Sequence, residues 1–120
     1  MNLFNSHKIV KREFNDIFYF NAKRLIDNNV DSILIKLKIN NIKDEIENCK
    51  LVLSVESPDE FKFKKVIDIT KNGVISEYIK IPKNTLATDK IKAYIWQRND
   101  NKFSFELTDV RLFFIYPPEL

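Results

Sequence analysis

KIKAYIWQRNDNKFSFELTDVRLFFIY, Lys90 to Tyr116, is the stretch that decides the fold. It alternates with period two and reads as three successive β-strands, roughly Ile91–Gln97, Phe103–Leu107 and Val110–Tyr116. A polar turn, Arg98 to Lys102, separates the first two, and a kink at Thr108-Asp109 separates the last two. Alternation gives a strand two chemically different faces, so one face of this segment must cover a core. The other face brings Lys92, Tyr94, Trp96 and Arg98 together. Aromatic and basic groups side by side on a sheet make a ligand platform.

The same period extends outward from this segment. Phe14–Phe20 is strongly aromatic, and Ser32–Ile39 sets Ile33, Ile35, Leu37 and Ile39 against Lys36 and Lys38. Leu51–Glu56 sets Leu51, Leu53 and Val55 against Ser54 and Glu56. Phe61–Thr70 places Phe61, Phe63, Lys65, Ile67 and Ile69 on one side, and Val74–Ile81 sets Ile75, Ile79 and Ile81 against Ser76, Tyr78 and Lys80. About eight short strands separated by polar turns predict an all-β fold, an antiparallel sandwich of two packed sheets. Helical periodicity is scarce, and the best candidate is the short Ile42–Asn48.

The turns are written in Asn and Asp, which tolerate a left-handed backbone. Clusters stand at Asp27-Asn28-Asn29, Asn40-Asn41, Lys71-Asn72-Gly73 and Asn99-Asp100-Asn101. Ser57-Pro58-Asp59-Glu60 reads as a tight turn, and Ile81–Thr88 as a longer connection in which Pro82 cannot serve a ladder. Such a connection suits a chain that changes sheets. Pro117-Pro118 stops strand pairing and reads as a domain terminus or linker.

Composition narrows the function classes. At 120 residues with 44% hydrophobic side chains, the chain fits one domain with a real core. Gly73 is the single glycine, which excludes phosphate-cradling glycine loops. Cys49 is the lone cysteine and His7 the lone histidine, so no internal disulfide forms, and histidine-rich metal sites, Ser-His-Asp triads and Cys-His dyads are not expected. A Cys49–His7 dyad is formally permitted by the composition, and no catalytic motif accompanies it. The carboxylates Glu13, Asp16, Asp44, Glu45, Asp59 and Asp109 lack the spacing of a calcium loop. No metal, cofactor or enzymatic activity is therefore expected. The start of the chain lacks the apolar core of a signal peptide, and no run reaches membrane-spanning length. A net charge of +3, with both signs mixed along the chain, is ordinary solubility rather than a polyanion signature.

Four motifs carry a family resemblance. They are Leu51-Val52-Leu53-Ser54-Val55-Glu56, Ile81-Pro82-Lys83-Asn84, Lys92-Ala93-Tyr94-Ile95-Trp96, and Phe105-Glu106-Leu107-Thr108-Asp109-Val110-Arg111-Leu112. In this order the run Lys50–Tyr116 resembles jelly-roll β-sandwich domains of the carbohydrate-binding-module, or galactose-binding-like, type. Such domains often occur as accessory domains of bacterial surface proteins. The resemblance implies a non-catalytic module for a carbohydrate or surface polymer, extracytoplasmic or at the cell surface if it belongs to a secreted protein. Stacking on Trp96 or Tyr94 would be joined by hydrogen bonds from Arg98, Asn99 or Lys92. One departure is Thr108, where the family pattern has the first of two aspartates.

Three competing readings frame these expectations. Trp96 and Tyr94 could instead pack under a loop or against the opposite sheet. The doubly apolar Val110–Tyr116 reads as a central strand buried on both sides, or as a docking face in a structural or protein-interaction sandwich. A small barrel binding single-stranded nucleic acid has the right residue types in Lys90–Arg98, but the strand number exceeds five and the net charge is modest.

Overall fold

A computed structural model describes residues 2–9, 14–43, 46, 48–97 and 104–118, with backbone alone at 2–9, 14 and 43. Among these residues eight strands form two sheets: β1 (Asn2–Ile9), β2 (Phe14–Asn21), β3 (Ser32–Lys43), β4 (Cys49–Ser57), β5 (Glu60–Asp68), β6 (Gly73–Lys80), β7 (Lys90–Gln97) and β8 (Ser104–Ile115). One sheet has the order β1-β8-β3-β6 and the other β2-β7-β4-β5. Every pairing is antiparallel.

The order is nested. The first strand pairs with the last, the second with the seventh, the third with the sixth, and the fourth with the fifth. The chain is thus one long double-stranded ribbon, folded over so that β8 also meets β3 and β7 also meets β4. That is the jelly roll. Only the β4–β5 hairpin stays within a sheet, and every other connection crosses the sandwich. The 81–89 connection between β6 and β7 is one of these crossings, as its proline and length predict.

Alternation holds where it is most needed. Ile33, Ile35, Leu37 and Ile39 of β3, Leu51, Leu53 and Val55 of β4, and Ile91, Ala93 and Ile95 of β7 are all sealed between the sheets. Phe105, Leu107, Val110 and Leu112 of β8 close the same core. Each large apolar side chain withdrawn from water contributes about 1.5–3 kcal/mol, which makes the two inner faces the dominant stabilising term.

Four expectations are corrected. Ile42–Asn48 is not helical where it is described: Ile42 and Lys43 prolong β3, and Asn48 lies in the left-handed region at φ 53°. The i,i+4 pair Ile42 and Ile46 packs against the core without a helix. Among the described residues the one helix, α1 (Lys23–Asp27), instead joins β2 to β3, and its Leu25 plugs the end of the core at 0% exposure. The last two expected strands are a single strand, β8. Asp109 at φ 51° absorbs the kink as a bulge, so β8 stays paired with β3 on both sides of it. Its outer face is open rather than covered: β8 is central in its sheet, yet Phe113 and Ile115 are exposed. In β5 a register shift at Phe61 breaks the expected alternation, and Phe61 is exposed instead of sharing the core with Phe63.

The 81–89 crossing is locked by a buried ion pair. Lys62 Nζ donates to Asp89 Oδ2 at 2.7 Å and to the Asn84 carbonyl at 2.9 Å, and both charged side chains are almost wholly covered. The Leu86 N–H also donates to Asp89 Oδ2 at 2.8 Å. Burial pushes the Asp89 carboxyl up, but the Lys62 hydrogen bond, the Leu86 N–H and the Lys62 charge together outweigh it and hold it below the usual value. A carboxyl depressed by folding contributes stability above its unfolded pKa and loses it as the pH falls through the folded one. Asp89→Asn should therefore cost about 2–3 kcal/mol in urea unfolding at neutral pH. That cost should shrink as the pH drops below the ordinary carboxylate range. A cost independent of pH would contradict this account.

Candidate functional site

Sealing Ile91, Ala93 and Ile95 inside forces the intervening residues of β7 outward. Lys90, Lys92, Tyr94 and Trp96 are all half-buried on the outer face of the β2-β7-β4-β5 sheet. Of the five residues expected to bind a ligand, Lys92, Tyr94 and Trp96 are thus brought together on one surface. Arg98 and Asn99 lie outside the described residues. Tyr94 and Trp96 do not pack between the sheets.

Register extends this face into a lattice. Trp96 pairs with Lys50, and Lys50 with Asp68. Asp16, Tyr94, Val52 and Val66 form the next row, and Tyr19, Lys92, Ser54 and Lys64 the one after. Strands lie about 4.8 Å apart and same-face neighbours along a strand about 6.6 Å, so the rows form a surface on which a flat ring can lie. Val52 and Ser54 point outward yet are 4% and 0% exposed. They belong to the central strand β4, and the longer side chains around them make walls over a floor.

Two shallow depressions meet at Tyr94. One, of about 410 Å³, is lined by Lys50, Val52, Lys64, Val66, Tyr94 and Trp96. The other, of about 300 Å³, is lined by Asp16, Tyr19, Glu56, Lys92 and Tyr94. The first has an apolar floor, two aromatic walls and two ammonium groups. The second carries two carboxylates.

Polar contacts hold this surface in shape. Ser54 Oγ donates to Glu56 Oε2 at 2.6 Å, and Lys92 Nζ reaches Glu56 Oε1 at 3.3 Å. Lys50 forms an ion pair with Asp68, and Lys90 donates to Asn21 Oδ1. The ammonium groups of Lys90 and Lys92 lie 5.5 and 5.4 Å from the ring centre of Tyr19. Lys64 lies 4.5 Å from that of Phe61. Burial first, then the carboxylates of Glu56 and Asp16, push the Tyr94 phenol above its usual pKa. At neutral pH it stays protonated and keeps an O–H to donate.

The sequence reading missed Tyr19, Lys50, Val52, Lys64 and Val66 as members of this surface. Nothing local marks them, because they join it only through the pairing of β2, β4 and β5 with β7. Tyr19 had a partial signal as a polar-tipped ring among the apolar residues of Phe14–Phe20.

Other chemistry finds less support. Among the described residues there is no group of three or more side chains that could hold a metal. Thr108 accepts a hydrogen bond from Asn40 Nδ2, and Asp109 is exposed on the bulge. Cys49 is 2% exposed, and burial pushes its thiol up to about 12 even with Lys50 pulling it down. Such a thiol is a poor nucleophile at neutral pH. No described helix is long and apolar enough to cross a membrane. The sequence matches no known protein family, and it matches no curated protein.

Cys49 gives a direct reading of this burial. An aromatic disulfide reagent at mildly alkaline pH should label the native protein slowly and the urea-unfolded chain at the rate of a free thiol. Equal rates in both states would show that the inner end of β4 is open.

Proposed function

We propose that the chain is a non-catalytic binding module for a carbohydrate or surface polymer, held on the outer face of the β2-β7-β4-β5 sheet. The observation that carries this reading is the placement of Trp96 and Tyr94, half-buried side by side on an outer sheet face beside directed polar groups. Binding sites are largely apolar with a few placed donors and acceptors, and this surface has that make-up. The C–H side of a sugar ring is apolar and stacks on an aromatic face, while Lys92 and the Tyr94 hydroxyl donate to its hydroxyls. Walls fixed by ion pairs and a floor fixed by β4 keep the site formed before binding, which lowers the ordering cost. The jelly-roll topology and the motifs that resemble carbohydrate-binding modules point the same way.

A second reading has its own observation. The outer face of the other sheet exposes Tyr78, Phe113 and Ile115, with Leu34 paired to both Tyr78 and Phe113. Exposed apolar patches mark interaction surfaces, so a protein-contact role fits this side of the molecule. The nucleic-acid barrel draws less support, since two open four-stranded sheets are not a five-stranded barrel.

One experiment with two arms separates these functions. Trp96→Ala should weaken binding of a glycan found by array screening by roughly thirtyfold, about 2 kcal/mol, with the near-ultraviolet circular dichroism of the tyrosines retained. Phe113→Ser should leave that affinity unchanged. Glycan binding indifferent to Trp96 would remove this site. Association with itself or with a partner protein that Phe113→Ser abolishes, without any glycan binding, would favour the second reading.

A further inference from the structure

We infer that the site takes an anionic sugar polymer, one carrying carboxylate or sulfate groups on its rings, with separate anionic groups meeting Lys50 and Lys64. This rests on the carbohydrate reading and narrows it to a ligand class. The depression beside Trp96 and Tyr94 is lined by two lysines and no carboxylate. Of the acidic groups of the same sheet face, Asp16 and Glu56 line the other depression, beyond Tyr94, and Asp68 pairs with Lys50 without lining this one. The lining therefore differs in charge: two lysines and no carboxylate stand beside Trp96, whereas two carboxylates and Lys92 stand beside Tyr19.

The two lysines are available to different degrees. Lys64 has no carboxylate within ion-pair distance among the described residues. Its ammonium rests against the Phe61 ring and so is held on the face rather than free in solvent. Lys50 is paired with Asp68, whose side chain is 66% exposed. An ammonium has three N–H donors, so this pairing leaves Lys50 able to accept a second anion. Along the strand direction the two positions are four residues apart, roughly 13 Å. They bracket the Val52–Val66 floor rather than sharing one point. A polymer charged on several rings meets both, whereas a single small anion meets one. Lysine is a compact point charge rather than a planar fork, so the site selects negative charge more than one anion geometry. Carboxylate and sulfate are both admitted by this chemistry.

The test compares polygalacturonate, the same polymer after carboxyl reduction, and a sulfated galactan, by calorimetry or affinity electrophoresis on the intact chain. At least one anionic polymer should bind roughly tenfold or more tightly than the neutral one, and added salt should weaken that preference. Which anionic polymer binds assigns the anion. Lys64→Gln should remove most of the preference for the anionic polymer. Lys36→Gln with Lys38→Gln, on the other sheet, should change nothing. If the double variant costs as much as Lys64→Gln, the attraction is diffuse charge and the inference falls. Equal, Trp96-dependent binding of anionic and neutral polymers overturns the inference and keeps the carbohydrate reading. Binding of none of the three, on a chain whose circular dichroism is native, overturns this inference, and an empty glycan array would then end the carbohydrate reading too.

Discussion

The inward half of β7 is the constraint on which the rest depends. Ile91, Ala93 and Ile95 stand in the middle of the β2-β7-β4-β5 sheet at 0% exposure, facing the other sheet. Ala93 pairs with Phe18 on one side and Leu53 on the other, a small residue set between two large ones. Phe18 in turn stacks on Phe20, with ring centres 5.5 Å apart. Core packing of this kind leaves little freedom to rotate a strand about its axis, since a slip by one residue would put every lysine of β7 inside. The outer face is thus set by what the inner face cannot give up. Trp96 and Tyr94 stand in a row because Ile95 does not.

Around that strand the molecule uses charge to shape a surface rather than to stabilise a core. Surface pairs, the exposed Lys50–Asp68 and the half-buried Lys92–Glu56, contribute little to folding. Their effect is to fix the orientation of long side chains over Val52 and Ser54. The Lys62–Asp89 pair is different: it is buried, and it pins the crossing that delivers the chain from β6 to β7. A stable crossing and a stable strand are the same requirement here, because the backbone N–H of Ala22 also donates to the Asp89 carbonyl at 2.8 Å. One end of the β2–β7 pairing, beside Asn21 and Lys90, is thus tied to this aspartate.

Much of this fold was legible because period two is a local property. The facing of Ile33 to Ile39, Leu51 to Val55 and Ile91 to Gln97 follows from spacing alone, and so does the shared face of Lys92, Tyr94 and Trp96. What was not legible is non-local or irregular. β1 has no alternation to read, since Asn2, Asn5, Ser6, His7 and Lys8 are polar, and it exists as an edge strand through its pairing with β8. Bulges cannot be told from strand ends: Asp109 looks like a break but keeps one strand continuous. Phe61 looks like core and is turned out by a register shift. Ile42–Asn48 is the best helical candidate by sequence, while the described helix, α1, needs only a single turn to carry Leu25 into the core. Half of the candidate site was invisible for the same reason, because Lys50 and Lys64 meet Trp96 only through strand pairing.

The central claim is that β7 keeps a strict two-residue alternation between the core and the outer face of its sheet. An aspartate scan from Ile91 to Trp96, with stability read by urea unfolding, tests it most directly. Ile91→Asp, Ala93→Asp and Ile95→Asp should unfold the domain or nearly so, while Lys92→Asp, Tyr94→Asp and Trp96→Asp should leave it folded. A flat profile, or losses that recur every three to four residues, would contradict the account.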